Sequence, residues 1–142
     1  MARKQLRFIF VLALTSLLAF ATIGAARAAK GGRTSSTGSS LSLVLLNSTD
    51  GSAHYGQQVT FKVSTTATDQ PFVELDCYQS GDWVYWASAG FFPSYPWQWA
   101  QDFTLRSDHW TGGAAQCSAR LYYVAGNGRT RTLATLDFDA AA

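Results

Sequence analysis

Residues 73–78 read Val73-Glu74-Leu75-Asp76-Cys77-Tyr78, and residues 115–121 read Ala115-Gln116-Cys117-Ser118-Ala119-Arg120-Leu121. Small or apolar and polar side chains alternate strictly in both. Val73, Leu75 and Cys77 share one parity of the first stretch; Ala115, Cys117, Ala119 and Leu121 share one parity of the second. Successive side chains of an extended chain point to opposite faces, so each stretch predicts a half-buried strand with its cysteine turned inward. A bridge joining the two strands in the core satisfies both patterns at once.

The same reading extends outward. Leu41–Leu46 predicts a first strand, followed by a turn at Asp50-Gly51-Ser52. Gln58–Thr65 alternates Val59, Phe61 and Val63 with Thr60, Lys62 and Ser64. Ser80-Gly81-Asp82 is a hairpin-type turn, and Trp83–Ser88 returns as a strand. Gly90–Pro96 reads as a loop, after which Trp97–Leu105 resumes an extended pattern. Ala125-Gly126-Asn127-Gly128 is a second hairpin signal, because Gly and Asn tolerate the positive φ such turns demand. In the closing strand, Thr130–Phe138, the apolar residues Leu133, Leu136 and Phe138 do not share one parity, which predicts a bulge. Seven strands at roughly ten-residue spacing, with no convincing 3.6-residue period, predict a sandwich or small barrel.

The N-terminal residues 1–28 read as an export signal. Arg3, Lys4 and Arg7 precede the apolar run Phe8–Ile23, and Ala26-Arg27-Ala28 supplies the small-x-small pattern of a cleavage site. The run of 16 residues falls short of the roughly 20 that a spanning helix needs. Cleavage after Ala28 leaves seven basic and nine acidic residues, a net charge of −2. A weakly acidic domain without a basic stripe offers no electrostatic footprint for nucleic acid. Cys77 and Cys117, the only cysteines, then lie in an oxidising compartment, where an even count predicts a disulfide rather than reactive thiols. Residues 29–40 (AKGGRTSSTGSS) lack apolar side chains and are expected to form a flexible linker ahead of a single domain at 41–139.

The run His54-Tyr55-Gly56-Gln57-Gln58-Val59-Thr60-Phe61-Lys62-Val63 resembles the YGxxVTFTATV strand-B signature of bacterial Ig-like domains. Gly113–Tyr122 is similar to the strand-F stretch of cysteine-containing Ig-like domains of secreted bacterial proteins, and Trp83 lies between the cysteines as an Ig-type core Trp does. The resemblance covers about residues 41–138. It implies adhesion, spacing or ligand binding, with no fixed active site. Two features depart from antibody-like domains. Cys77 falls on the third strand, so its bridge to Cys117 would join neighbouring strands of one sheet. Ala115 stands where a tyrosine corner would place a Tyr.

Catalytic arrangements are sparse. The only imidazoles, His54 and His109, fall in predicted turns, and no strained Ser elbow accompanies Asp108-His109. Glu74 and Asp76 share a strand face with roughly 7 Å between α-carbons, a spacing usable for glycoside cleavage but ordinary for the wet side of a sheet. Asp137 and Asp139, with Asp102 or Asp50, follow no EF-hand-like spacing. The informative stretch is 78–99, which holds Tyr78, Trp83, Tyr85, Trp86, Phe91, Phe92, Tyr95, Trp97 and Trp99. By parity Trp83 and Tyr85 share one face with Trp86 on the other, and Trp97 and Trp99 share a face. A domain of this size cannot bury both sets, so some rings reach solvent. Exposed Trp and Tyr suit a protein interface or a platform for sugar rings, with Gln98, Gln101 and Asp102 as polar neighbours.

The sequence thus predicts an all-β, Ig-like antiparallel β-sandwich of about seven strands with one disulfide, secreted and non-enzymatic. Its expected work is recognition or cell-surface adhesion through Trp83, Tyr85, Trp86, Tyr95, Trp97 and Trp99. The partner is an unknown protein or cell-surface ligand. The alternative is a carbohydrate-binding module with a glycan ligand. A small secreted hydrolase would need a polar cluster that the spacing does not supply. No cofactor, metal or nucleic-acid partner is expected, and the mature protein is not expected to span a membrane.

Overall fold

The computed structural model describes residues 33–36 and 38–142; the segment read as an export signal, 1–28, lies outside them. Among the described residues nine strands follow in order: β1 (Arg33–Ser35), β2 (Ser39–Leu45), β3 (Ala53–His54), β4 (Gln58–Thr65), β5 (Phe72–Gln79), β6 (Asp82–Gly90), β7 (Phe103–Thr104), β8 (Ala115–Val124) and β9 (Thr130–Ala141). The larger sheet runs β1-β9-β8-β5-β6, with β3 pairing β9 as well; the smaller sheet is β2-β4-β7. All pairings are antiparallel except that of β3 with β9.

The alternating strands fill the space between the sheets. Val73, Leu75 and Cys77 of β5 and Ala115, Cys117, Ala119 and Leu121 of β8 are buried against Leu41, Val59, Phe61 and Phe103 of the smaller sheet. Phe61 meets Phe103 edge-on with ring centroids 5.4 Å apart. Cys77 and Cys117 are direct cross-strand partners and form the disulfide, with α-carbons 4.0 Å apart. The bridge joins neighbours within one sheet, as the strand count predicts. Ser80 and Gly81 both take positive φ, 54° and 93°, so the β5–β6 hairpin closes on a two-residue primed turn whose twist matches its strands. In β9 the register shifts opposite Leu121/Tyr122, and Leu133 is the extra residue. That bulge reconciles the mixed parity, burying Leu133 beside Ala134 and Phe138.

Two stretches take a form other than the one their composition suggests. Of residues 29–40, read as a linker, 29–32 and 37 lie outside the described residues, while Arg33–Ser35 pairs with Leu136–Ala134 of β9, and Ser39 and Ser40 open β2. The composition speaks only to side-chain burial, whereas an edge strand recruits a neighbour through its main chain. Here Ser36 N–H donates to the Leu133 carbonyl at 2.8 Å, and the Thr34 and Thr135 hydroxyls meet at 2.5 Å. Trp97–Leu105 is not a continuous strand either: Gln98–Gln101 forms a 3₁₀ turn, leaving only Phe103–Thr104 extended. The Gln98 side-chain amide donates to the carbonyls of Phe92, Pro93 and Tyr95, which folds the segment back on itself. The folded loop then shields β4, whose Thr60 hydroxyl donates to the Gln101 carbonyl at 2.8 Å.

Replacing both bridge cysteines, Cys77→Ala with Cys117→Ala, is expected to lower stability by about 4 kcal/mol through the freed denatured chain. Urea unfolding of the two proteins measures it. A loss below about 1 kcal/mol would contradict this account of the bridge.

Candidate binding face

Strict alternation along β6 would set Trp83 and Tyr85 on one face. The pairing breaks that rule. Cys77 opposes Tyr85, but the next residue, Tyr78, opposes Trp83, so Val84 is an extra residue. A bulge of this kind shifts the side-chain parity of everything beyond it. Val84 is buried, and Trp83 is turned onto the outer face of the larger sheet, the face that also holds Trp86. The bulged carbonyl is satisfied from outside the ladder, because Ser107 donates its hydroxyl to the Val84 carbonyl. Ser107 in turn accepts the His109 N–H at 3.2 Å, fixing the loop that follows β7.

The registers of β5, β6, β8 and β9 lay out this face in rows. The first is Trp83–Tyr78–Gln116–Asp139 and the second Trp86–Asp76–Ser118–Asp137. The third is Ser88–Glu74–Arg120–Thr135 and the fourth Gly90–Phe72–Tyr122–Thr132. Trp83 and Trp86 are 58% and 55% exposed, and Tyr78 beside them is exposed too. Trp83 is nonetheless held: its indole N–H donates to Asp76 at 2.9 Å. Partial burial raises the Asp76 pKa above its ordinary 3.8, while the Trp83 N–H opposes the rise, Glu74 adds to it and Arg120 opposes it. On the third row Arg120 donates to Glu74 at 2.6 Å and its guanidinium carbon lies 5.1 Å from the centroid of the Tyr122 ring.

The far end of the face is aromatic as well. Phe72 stacks on Tyr122 with centroids 5.8 Å apart, and Phe92 and Tyr95 meet Phe72 edge-on at 5.6 and 6.2 Å. They can do so because residue 90 is glycine: a β-carbon there would lie 2.5 Å from both the Phe92 and Tyr95 rings. Trp97 rests edge-on against Tyr95 at 5.7 Å. Phe91 turns the other way, into the core against Phe61 and Phe103. At the opposite end, a groove of about 290 Å³ runs beside the edge strand β6, between Trp83 and Trp86 and the loop residues Arg106, Ser107 and His109.

Of the six aromatic residues singled out in the sequence, Trp83 and Trp86 come together, and Tyr95 and Trp97 form a second group. Trp99 stands 77% exposed on the 3₁₀ turn. Tyr85 points inward instead, 6.3 Å from Trp110, and burial pushes its pKa up to about 12. The interior Trp is therefore Trp110 and not Trp83. Trp110 is buried, donates its indole N–H to the Gly113 carbonyl at 2.8 Å and meets Tyr55 edge-on at 5.5 Å. Nothing in its sequence neighbourhood signals that role. Phe72, Arg120 and Tyr122 also belong to the outer face, and the parity that turns Val73 and Leu121 inward already turns them out.

The titratable candidates are engaged locally. Glu74 is paired with Arg120, and Asp76 accepts from Trp83. Asp137 accepts the Ser118 hydroxyl at 2.6 Å. His54 lies 2.8 Å from Asp50. Among the described residues no three His, Cys, Asp or Glu side chains gather to hold a metal ion, and no helix is long and apolar enough to cross a membrane. Compared with protein-family models, curated proteins and solved structures, the chain matches none.

Ser107→Ala removes the donor to the bulged Val84 carbonyl and should cost about 1–3 kcal/mol in urea unfolding, while Thr104→Ala serves as an exposed control. The His54–Asp50 contact sets a pH window. The Asp50 hydrogen bond raises the His54 pKa above 6.5, and the same bond, joined by those from the Ser52 N–H and the Ser48 hydroxyl, lowers that of Asp50 from 3.8 to about 2. The His54 contribution is complete below pH 6.5 and fades as pH rises through the raised value; the Asp50 contribution is complete above 3.8 and fades toward about 2. An NMR titration should find the His54 pKa falling back toward 6.5 in Asp50→Asn. An unchanged value would show that the pair does not form in solution.

Proposed function

We propose that this chain is a secreted, non-enzymatic recognition module of Ig-like type that holds a cell-surface ligand on the outer face of its larger sheet. The observation that carries the reading is the pair Trp83 and Trp86, both more than half exposed and set on one face by the bulge at Val84. Exposed Trp side by side is costly in water unless something covers it, and Trp is enriched where binding energy concentrates. Trp83 is also pinned by Asp76, so its ring loses little freedom on binding.

The Ig-like reading draws support from the strand order. The N-terminal strands divide between the sheets: β2 pairs β4, whereas β3 runs parallel to β9. A disulfide-linked core and the signal-like residues 1–28 support export. A non-enzymatic role is supported by the local partners of Glu74, Asp76 and His54, none of which forms a nucleophile–base pair.

The test compares retention of the labelled mature protein on intact bacterial cells with that of Trp83→Ala/Trp86→Ala, folding being checked by circular dichroism. The double variant should bind about tenfold more weakly or worse. Equal retention of both proteins, or retention of neither, would remove the face as the recognition surface.

A further inference from the structure

The outer face is aromatic at two ends and polar between them. Trp83, Trp86 and Tyr78 occupy one end; Phe72 and Tyr122 occupy the other, with Tyr95 packed against Phe72 and Trp97 against Tyr95. From the row of Trp86 to that of Phe72 is four residues along β5, about 13 Å of strand. Between them stand Ser88, Glu74 and Arg120 in one row, with the Ser88 and Tyr122 hydroxyls 3.2 Å apart.

The chemistry of that middle strip restricts the ligand. Glu74 accepts, Arg120 donates, and the two hydroxyls do both. A strip mixing donors with acceptors fits a partner whose own groups also do both, which is the property of sugar hydroxyls. Asp76, Glu74, Asp137 and Asp139 outnumber Arg120 on this face, so a polyanion is repelled. The ammonium groups of a cationic peptide would match the carboxylates, but they only donate and leave the Arg120 donors without an acceptor. A flat polar chain with apolar ring faces satisfies all three conditions.

We propose that a neutral glycan chain lies along the strands of the outer face, its rings stacking on Trp86 and Trp83 at one end and on Tyr95 and Trp97 at the other, with hydroxyls bonded by Ser88, Glu74, Arg120 and Tyr122 between. This rests on the reading of that face as the recognition surface, and adds the class of ligand and its direction. It also gives the glycine at position 90 a purpose: the close seating of Phe92 and Tyr95 there carries the second aromatic end up to the sheet.

Isothermal titration of the mature protein with xylohexaose and chitohexaose, with xylobiose and chitobiose, with polygalacturonate and with oligolysine tests it. At least one neutral hexasaccharide should bind, with its disaccharide about tenfold weaker or worse because it reaches one end only. Trp86→Ala and Trp97→Ala should each weaken the hexasaccharide about tenfold. Equal affinity for the short and long sugars, a response to Trp86→Ala alone, or binding of only polygalacturonate or oligolysine overturns the proposal. So does the absence of binding by every neutral glycan. If that absence coincides with loss of cell retention in Trp83→Ala/Trp86→Ala, the glycan fails and the recognition face stands; if retention is insensitive to the double variant, the recognition face itself fails.

Discussion

The pairing of β5 with β8 fixes what the neighbouring strands β6 and β9 present. Its seven consecutive partners, Phe72 with Tyr122 through Tyr78 with Gln116, are in register without interruption. Because side chains alternate with a period of two, a slip of one residue would send Val73, Leu75 and Cys77 to solvent and bring Glu74 and Asp76 into the core. The disulfide between directly opposed residues forbids that slip. A bridge across two sheets would pin layers together; this one pins a register, and the rows of the outer face inherit it.

On that frame the two bulges do opposite things. Leu133 in β9 adds an apolar residue to the interior and leaves the surrounding polar pattern on the outside. Val84 in β6 also turns inward, but its effect is felt by its neighbour: Trp83 changes faces and joins Trp86 and Tyr78. The interior Trp site is then filled by Trp110 from the loop beyond β7, whose approach is secured by the Ser107 bond to the bulged carbonyl. One extra residue thus exchanges a strand Trp for a loop Trp in the core and frees the strand Trp for solvent.

This exchange marks where the sequence is legible and where it is not. The parities of 58–65, 73–78 and 115–121 are local, and each matches the burial along its strand. The β9 bulge is visible because three apolar residues contradict one another. The β6 bulge is silent: Trp83-Val84-Tyr85-Trp86 is apolar on both parities, so neither face is marked as the inner one, and the carbonyl partner that permits the bulge, Ser107, lies 23 residues away. The strand β1 is silent for another reason. Its Arg-Thr-Ser side chains bury little, and what holds it is the unpaired main chain at the edge of β9. The 3₁₀ turn depends on one side chain, Gln98, reaching three carbonyls, a contact no periodicity encodes.

The outer face combines exposure with constraint, and the combination matters for its chemistry. A free surface Trp samples several rotamers and loses them on binding, which offsets much of what its contact gains. Trp83 has surrendered that freedom to Asp76 already, and Arg120 is held between Glu74 and the Tyr122 ring. These hydrogen bonds leave donor and acceptor capacity to spare, since Arg120 carries five N–H groups and a carboxylate accepts at two oxygens. The face is therefore ordered in itself, while its remaining polar groups keep capacity for further hydrogen bonds. A surface serving only solubility needs neither property, because mobile charged side chains achieve that without fixing indole rings in water.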